Sequence, residues 1–431
     1  MIGYLRYTMR PICKTLLLFT LFCLPSASVS AEVLKNNSLS SPARQKELAS
    51  VATIPTRQID TLSAKLKDLK KELFENEAAG KKNIPAHQIL TEAEWLNRES
   101  QDYLRLAERI EALRKAIDDP ANLTAKDEQS PIDGAWGKWY TEWFFKLIAT
   151  HEQLSALAES GEQPKYPLRF LDKINSPDLL KEHLEKLLIS NPEVDGIKHR
   201  RELNETLSVL VRMIIRDKRN VYNFHSGLRQ ALLDFLEEAR DPKTRYWCDR
   251  YATKYSPRCI INLSTTFHII SYLNGNITDW PKVIETTLSI KDKAWPSGWL
   301  APCGYVNHHN MDVVELFRLG WVYADKQQQE AIRKEIKKML TWCLNNSFQQ
   351  DGSFKLIEDE DDNIETSVYY GTSFLVRIGF FNKKNRFWTN EDFSESNLIR
   401  QKIENFIKSH MESGSEGGLY YSSTLEELRM K

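Results

Sequence analysis

The sequence predicts an all-α protein in which helical hairpins stack into a ring or an arc, and three observations support this. First, a helix, a turn with Pro or Gly beside an aromatic residue, and a second apolar helix occur three times in the C-terminal half. The aromatic residues of these turns lie 52 and then 55 residues apart, at Trp247, Trp299 and Phe354. A period of about 50 residues is typical of stacked units that cannot bury their apolar faces alone. Second, two heptad patterns precede the units, and third, no strand-rich region stands out.

The N-terminus has the pattern of a secretory signal peptide over residues 1–31. Three basic residues precede the apolar run 15-TLLLFTLFCL-24, which is too short to cross a bilayer because a spanning helix needs about 20 apolar residues. Small residues precede the expected cleavage point after Ala31. The mature protein is expected to be periplasmic or extracellular, with no transmembrane segment and with a flexible tether over residues 32–56.

The charge balance argues against a nucleic-acid partner. The chain has 59 basic and 59 acidic residues, and signal cleavage removes three basic residues and no acidic ones, which leaves a net charge of about −3. Proteins that bind nucleic acid are usually basic. The sequence also has no Walker A loop, dinucleotide fingerprint, G-x-S-x-G or HExxH motif. We therefore predict no cofactor and no resident metal.

The cysteines of the mature chain fit an oxidising compartment. They are all in the repeat region, at Cys248, Cys259, Cys303 and Cys343. Four thiols allow up to two disulfides in three pairings. A bond between Cys248 and Cys259 closes the shortest loop, and the alternative is four separate buried thiols.

Residues 57–118 are predicted to form a short antiparallel coiled-coil hairpin. The first helix has apolar residues at alternating spacings of three and four, at Ile59, Leu62, Leu66, Leu69 and Leu73. The second helix has them every seven residues, at Ile89, Leu96, Tyr103, Ile110 and Ile117. Both spacings are typical of a coiled-coil seam. An arm of this kind favours a protein partner, such as an envelope protein.

The remainder of the chain is predicted to be helical. A region over 131–220 is expected to pack onto the ring, and it includes an aromatic helix face from Trp136 to Leu147. The repeat units and a closing helix occupy 221–411, and residues 412–431 form a tail. The second helix of each unit is the more apolar one, and in the third unit the first helix is highly charged. Charged outer helices and apolar inner helices are what a two-layered ring requires.

The turn 349-QQDGSF-354 resembles the Q-x-D-G-x-aromatic turn of α/α-toroid proteins, among them terpenoid cyclases and prenyltransferase-like toroids. Its position before Tyr369, Tyr370 and Gly371 also resembles toroidal polysaccharide lyases. The resemblance covers roughly residues 222–411 and implies an α/α toroid or partial toroid. The string 359-DEDD-362 matches the D-x-D-D motif of the cyclases, but it lies in an acidic stretch that favours a solvated loop. The chain also lacks the His that the lyases have near this turn.

The segment 305-YVNHHNMD-312 has the densest cluster of residues suited to catalysis, directly before a predicted inner helix. We predict His308 or His309 as a base, Tyr305 or Tyr370 as an acid, and Asn307 as the residue that orients the substrate. Asp312 belongs to the same cluster. This set resembles the chemistry of uronic-acid lyases. Helix capping and loop hydrogen bonds are one alternative role for the segment. Metal binding by its two His residues and Asp312 is the other, although adjacent His side chains seldom both reach one ion.

A second set of residues is predicted to bind substrate. It consists of two turn tryptophans suited to stacking on sugar rings and three polar residues on predicted inner helices: Trp247, Trp299, His268, Tyr369 and Glu365. The alternative for the tryptophans is that they pack against the turns and stabilise them. The alternative for His268 is a hydrogen-bonded position in the core.

Two functions remain open from the sequence. The first is an exported carbohydrate-active enzyme, a polysaccharide lyase or a glycoside hydrolase, with its substrate in the toroid. The second is a non-catalytic envelope or secreted module that binds a protein through the toroid and the arm. The polar cluster at 305–312 favours the enzyme, and the heptads favour the binding module.

Overall fold

The computed structural model describes residues 56–77, 83–119, 121, 123, 125–191, 198–216, 221–253, 257–357, 363–412 and 418–429. The predicted signal peptide, nearly all of the predicted tether and the acidic string 359–362 lie outside these residues. The described chain is mostly helical, as the sequence predicts. None of its helices is both long enough and apolar enough to cross a membrane.

Three helices form the N-terminal part, and the second predicted helix of the hairpin is divided. Helix α1 is Thr56–Glu77, α2 is Ile84–Trp95, and after the π-helical turn Leu96–Ser100 a third helix, α3, spans Tyr103–Asp118. The division has a local cause, because Gln101 has a left-handed backbone (φ 62°) and the Asp102 side chain accepts a hydrogen bond from the first turn of α3. Helix α3 folds back and packs on both α1 and α2.

These helices dock on the body of the protein through Glu92 and Trp95. The ring of Trp95 makes edge contacts with Phe144 and Phe145. The Glu92 carboxylate is fully buried and accepts hydrogen bonds from the backbone nitrogens of Thr141 and Glu142 at 3.1 and 2.9 Å. Arg109 of α3 donates to the same carboxylate at 2.9 Å.

The body contains eleven further helices among the described residues. They are α4 Trp143–Ser160, α5 Pro177–Leu188, α6 Arg200–Leu210, α7 Leu228–Ala239, α8 Leu263–Tyr272, α9 Trp280–Ser289, α10 Asn307–Gly320, α11 Lys326–Trp342, α12 Ile364–Arg377, α13 Ser396–Glu412 and α14 Gly418–Arg429. Short 3-10 helices lie at Arg169–Ile174, Trp321–Tyr323 and Lys383–Asn385, and π-helical turns follow α6 and α11 at Val211–Arg216 and Cys343–Ser347. The predicted aromatic helix face is partly wrong, since the helix begins only at Trp143.

The helices of the body fall into two sets, the even-numbered helices and the odd-numbered helices. Each even-numbered helix packs on the next even-numbered one, from α4 through α6, α8, α10 and α12 to α14. Among the odd-numbered helices, α5 packs on α7 and α9 packs on α11. The second helices of the three predicted units are α8, α10 and α12, and α10 is buried along almost its whole length. Their apolar character follows from this position between two helical neighbours.

The Q-x-D-G-x-aromatic turn closes the third unit. Gly352 has a left-handed backbone (φ +97°), and a Cβ atom there would meet the Lys402 carbonyl. Asp351 accepts a hydrogen bond from the Ser353 backbone at 2.9 Å. The Phe354 ring is fully buried and lies against Gly371 of α12, where a larger residue would collide with it. The turn therefore fixes α12 by packing.

The predicted tail contains helix α14, which packs on α12 and α13. Glu365 of α12 accepts hydrogen bonds from the backbone nitrogens of Tyr420 and Tyr421 at 2.9 and 3.1 Å. These nitrogens lie in the first turn of α14, where helix backbone donors lack partners within the helix. Glu365 therefore stabilises the start of α14 instead of lying free for a substrate, which corrects its predicted binding role.

A small sheet joins two of the long connections. Its strands are β1 Ile189–Ser190, β2 Cys248–Tyr251 and β3 Arg258–Ile261, with β1 parallel and β3 antiparallel to β2. A disulfide joins Cys248 to Cys259 across β2 and β3, which confirms the pairing with the shortest loop. Cys303 is exposed and Cys343 is buried, and neither forms a disulfide in the described structure.

Replacing Cys248 and Cys259 together by alanine is expected to lower the free energy of unfolding by about 2–4 kcal/mol, because the crosslink restricts the unfolded chain. Urea unfolding of the mature protein measures this difference. Cys303→Ser is the matched control, since it removes an exposed thiol outside the crosslink. Equal stability of the double variant and the control would show that the bond does not stabilise the protein.

Candidate functional site

Five half-buried polar and aromatic side chains form a row across four neighbouring even-numbered helices, which we call the polar row. Its members are Arg212 after α6, Tyr272 and His268 on α8, His308 on α10 and Tyr370 on α12. The Arg212 guanidinium lies 4.9 Å from the centre of the Tyr272 ring, and the Tyr272 hydroxyl lies 3.2 Å from His268 Nδ1. The rings of His308 and Tyr370 are stacked with centres 4.3 Å apart.

His308 is the imidazole of this row best suited to act as a base. Burial, with further contributions from His309 and His268, holds the pKa of His308 well below 6.5. Its Nδ1 atom is buried without a partner, whereas Nε2 retains accessible surface. The neutral ring can therefore present Nε2 to a ligand at neutral pH.

His309 has a structural position. It is fully buried and stacks on Trp295 with ring centres 4.0 Å apart and planes 7° apart. Its Nδ1 lies 3.0 Å from the Trp299 carbonyl oxygen. A carbonyl oxygen only accepts, so Nδ1 donates the proton in this bond. Of the two predicted bases, only His308 retains a surface for a ligand.

Tyr305 and Asn307 are directed away from the polar row. The Tyr305 ring lies beside Trp342 of α11, and burial followed by the charge of Glu335 raises its pKa. The Asn307 side chain is buried and donates to Ser347 Oγ at 2.8 Å. The structure therefore leaves Tyr370 as the predicted acid that contacts His308. The predicted substrate-orienting role of Asn307 is corrected, because its amide holds the Ser347 loop.

Asp312 lies one helical turn beyond His308 and is fully buried, with neither carboxylate oxygen hydrogen-bonded among the described residues. Burial raises the pKa of Asp312 well above 3.8, and the nearby Arg377 opposes this shift. Arg377 also interacts with two other carboxylates, because its guanidinium lies 3.5 Å from Glu315 and 4.0 Å from Glu427. Asp312 is thus too deeply buried to contact a substrate directly.

Asp312→Asn is expected to stabilise the protein at neutral pH. A carboxyl group whose pKa is raised on folding contributes stability that is complete below the unfolded value of about 3.9 and is lost as the pH rises through the folded value. The amide has no charge to bury, so the variant gains about 1.4 kcal/mol for each unit of that rise. Urea unfolding between pH 4 and pH 8 measures the difference.

The exposed Asp292 provides the control for this measurement, because Asp292→Asn removes a carboxylate that water already solvates. Its stability is expected to follow that of the natural protein at every pH. Loss of stability in the Asp312 variant at pH 7 would instead show an ionised Asp312 paired with Arg377.

The predicted sugar-stacking tryptophans do not belong to the polar row. Trp299 is fully buried against Phe317, and Trp247 is 3 % exposed with its Nε1 donating to the Leu236 carbonyl. Trp299 has no exposed face for a ligand and fixes its turn, whereas Trp247 lines the small cavity between α5, α6 and the sheet. Partly exposed rings lie instead beside the polar row, at Trp295, Tyr369 and Tyr420.

Tyr369 is the predicted binding residue that lies next to the row. Its ring packs at 5.4 Å on Tyr370 and at 5.2 Å on Tyr420. Burial, followed by the charge of Glu427, raises the pKa of Tyr369. His268 belongs to the row itself, where burial and then the charge of Arg212 lower its pKa to about 4.

Among the described residues, His308, His309 and Asp312 do not come close enough together to form a group with metal-ligand spacing. In the part of the chain that the structure describes, the one group with metal-ligand spacing is Asp241, Cys248 and Cys259. Both sulfurs of that group are in the disulfide and are not thiolates. Neither group provides the donors that a metal ion needs.

Sequence reasoning missed Arg212, Tyr272 and Trp295. Arg212 is a single cation in the apolar run 207-LSVLVRMII-215, and that interruption is the signal that marks it. Tyr272 follows His268 by four residues, a spacing that places both on one helix face. Trp295 precedes the predicted turn by one residue and carries no local signal.

The chain matches no protein-family model, no curated protein and no solved structure. A small cavity lies apart from the polar row, between α5, α6 and the sheet. Its walls are mostly apolar, and the Arg200 and Asp249 side chains at its edge are paired at 2.9 Å. The polar row is therefore the better candidate for chemistry.

Proposed function

We propose that this protein is an exported carbohydrate-active enzyme that acts on an acidic or cell-surface polysaccharide by elimination or hydrolysis. The observation that carries the proposal is the stacked pair of His308 and Tyr370. It combines a neutral imidazole that presents Nε2 with a phenol on the neighbouring helix. A base and an acid side by side supply the two proton transfers of an elimination.

The scaffold of the proposed enzyme is an α/α toroid or a partial toroid. The even-numbered helices are its inner layer and the odd-numbered helices its outer layer. The order of packing from α4 to α14 and the repeat of about 50 residues support this arrangement. The polar row crosses four helices of the inner layer, where such a scaffold binds its substrate.

Elimination is the reaction that this geometry favours. Nε2 of His308 takes the proton from the carbon next to a uronate carboxylate, and the electron pair of that bond forms a carbon–carbon double bond. The bond from the neighbouring ring carbon to the glycosidic oxygen breaks, and Tyr370 gives its proton to the leaving oxygen. In a hydrolysis, His308 would instead take the proton of the attacking water.

Aromatic rings beside the pair would hold the sugar chain. Tyr369 and Tyr420 continue from Tyr370 toward α14, and Trp295 lies 5.5 Å from the His308 ring. Partly exposed aromatic rings pack on the apolar faces of sugar rings. Tyr and Trp are common at sites where one end of the side chain is buried and the other end contacts water. The disulfide between Cys248 and Cys259 supports the oxidising compartment that export implies.

The test is a panel of anionic and neutral polysaccharides incubated with the purified mature protein. Ultraviolet absorbance of an unsaturated product indicates elimination, and new reducing ends without that absorbance indicate hydrolysis. Either result supports the proposal if it is lost with His308→Ala. A folded protein that acts on none of the polysaccharides would contradict the proposal and favour the binding module. A pull-down with α1–α3 would then search for the protein partner.

A further inference from the structure

We propose that Arg212 binds a carboxylate group of the substrate, which makes the substrate of this site a uronate-containing polysaccharide. This inference rests on the proposed function for the identity of the ligand as a sugar chain. It deepens that function by assigning the residue that recognises the charge of the sugar and by restricting the substrate to uronates.

The first argument is that Arg212 is fixed in place. Its Nε donates to the Ser208 carbonyl at 3.2 Å, and its guanidinium lies over the Tyr272 ring. Tyr272 is held in turn by His268. An arginine that is already ordered loses little conformational entropy when it binds an anion.

The second argument is that the binding end of Arg212 is unused. Among the described residues, no acceptor lies within hydrogen-bonding distance of its Nη1 or Nη2 atoms, and no carboxylate lies within ion-pair distance. Arg212 is half-buried, and its terminal nitrogens retain accessible surface. Two parallel N–H groups match the two oxygens of a carboxylate.

No acidic neighbour among the described residues forms an ion pair with this cation. Glu205 on α6 is paired with Arg201 at 3.9 Å, and burial raises its pKa. The charge of Arg212 acts on Glu205 and on Glu152 of α4 and opposes the rise that burial causes in their pKa, but neither carboxylate lies within ion-pair distance of Arg212. The free guanidinium is thus the group in the row that attracts a negative charge.

The third argument is the position of Arg212 relative to the base. Arg212 contacts Tyr272, Tyr272 contacts His268, and His308 lies on the neighbouring helix α10, which packs on α8. Arg212 also lies in the π-helical turn Val211–Arg216, a distortion that is frequent at functional sites. A chain bound along the row would therefore place the reacting sugar at His308 and the carboxylate of a neighbouring uronate residue at Arg212.

The experiment measures binding by calorimetry with trisaccharides of galacturonate, mannuronate and glucuronate, each compared with its methyl ester. We expect at least one free acid to bind about 10- to 100-fold more tightly than its ester, because a charge-assisted hydrogen bond is lost in the ester. Arg212→Met is expected to remove that preference. Arg212→Lys keeps the positive charge but lacks the two parallel N–H groups of the guanidinium. It is expected to retain part of the preference for the free acid.

The exposed Arg216, one turn further along, provides the matched control. Arg216→Met is expected to bind the free acid as the natural protein does. Equal binding of acid and ester, no binding of any of the three acids, or an unchanged preference in both Arg212 variants would overturn the assignment. Binding restricted to a carrageenan trisaccharide, whose only anions are sulfates, would also overturn it.

These outcomes separate this inference from the proposed function. Binding of a uronate that depends on Arg212, without turnover in the polysaccharide panel, would support the carboxylate site and reject the enzyme. Turnover of a neutral polysaccharide that depends on His308 and not on Arg212 would support the enzyme and reject the carboxylate site.

Discussion

Replacing His308 by alanine is expected to lower turnover of the active polysaccharide by about 100- to 10 000-fold, because a positioned general base contributes that much to a proton transfer. The side chain is half-buried and forms no hydrogen bond among the described residues, so its loss is not expected to unfold α10. Initial rates on the substrate found in the panel measure the effect, and circular dichroism checks the fold.

Two further measurements make this prediction specific. His225→Ala removes an exposed imidazole before α7 and is expected to leave the rate unchanged. The pKa of His308 lies well below 6.5, so the neutral base persists in mild acid and the rate is expected to fall only well below pH 6.5. Full activity of His308→Ala, or a rate that halves near the ordinary histidine pKa, would reject His308 as the base.

Replacing Glu92 by alanine is expected to lower the free energy of unfolding by about 3–5 kcal/mol, the usual cost of breaking a buried ion pair from one side. The change leaves Arg109 and two backbone nitrogens at the start of α4 without their shared acceptor. Because Glu92 joins α2 to α4, the N-terminal helices are expected to lose their docking first. Hydrogen exchange of α1–α3 and urea unfolding measure the two effects.

Glu108→Ala is the matched control, since Glu108 is an exposed carboxylate on the neighbouring helix α3. It is expected to change stability by less than about 0.5 kcal/mol. Glu92→Gln retains an acceptor oxygen without the charge and is expected to fall between the two. If Glu92→Ala matched the control, the docking of α1–α3 would have to depend on other contacts, such as those of Trp95 with Phe144 and of Gln88 with the Trp139 backbone.

Local interactions explain which features can be read from the sequence. The start of α11 is fixed by the capping box of Asp325 and Gln328, and the start of α5 by Ser176 and Pro177. These signals act over three or four residues and can be read from the sequence. The disulfide between Cys248 and Cys259 follows the same logic, because a short loop costs little entropy to close. The three helical units and the pairing of these cysteines were predictable for this reason.

The divided hairpin shows that a helix can end at a local interruption although the heptad pattern continues. The heptads continue through Leu96 and Tyr103, but the left-handed residue Gln101 and the cap at Asp102 stop one helix and begin another. Most of the heptad residues are still buried. The heptad pattern therefore predicted correctly which residues are buried, but it wrongly predicted one continuous helix. The apolar residues are buried because α3 folds back onto α1 and α2.

The choice between His308 and His309 could not be made from sequence. Neighbouring residues on a helix point about 100° apart, and which of them faces the polar row depends on the packing of α10. Trp295 covers His309, while Tyr370 lies beside His308. The positions of Trp247 and Trp299 could not be predicted for the same reason, because only packing decides whether an aromatic ring is covered or retains a face for a ligand.

The sequence by itself determined most of the helices, the turns of the three units, the crosslink between Cys248 and Cys259 and the position of the segment 305–312 at the start of α10. These features depend on hydrogen bonds, periodicity and loop closure between residues close in the chain. Only the tertiary structure decided that Arg212, Tyr272, His308 and Tyr370 meet. They come from four helices separated by many residues, and their contacts depend on how the apolar faces of those helices pack, for which the local sequence carries no signal.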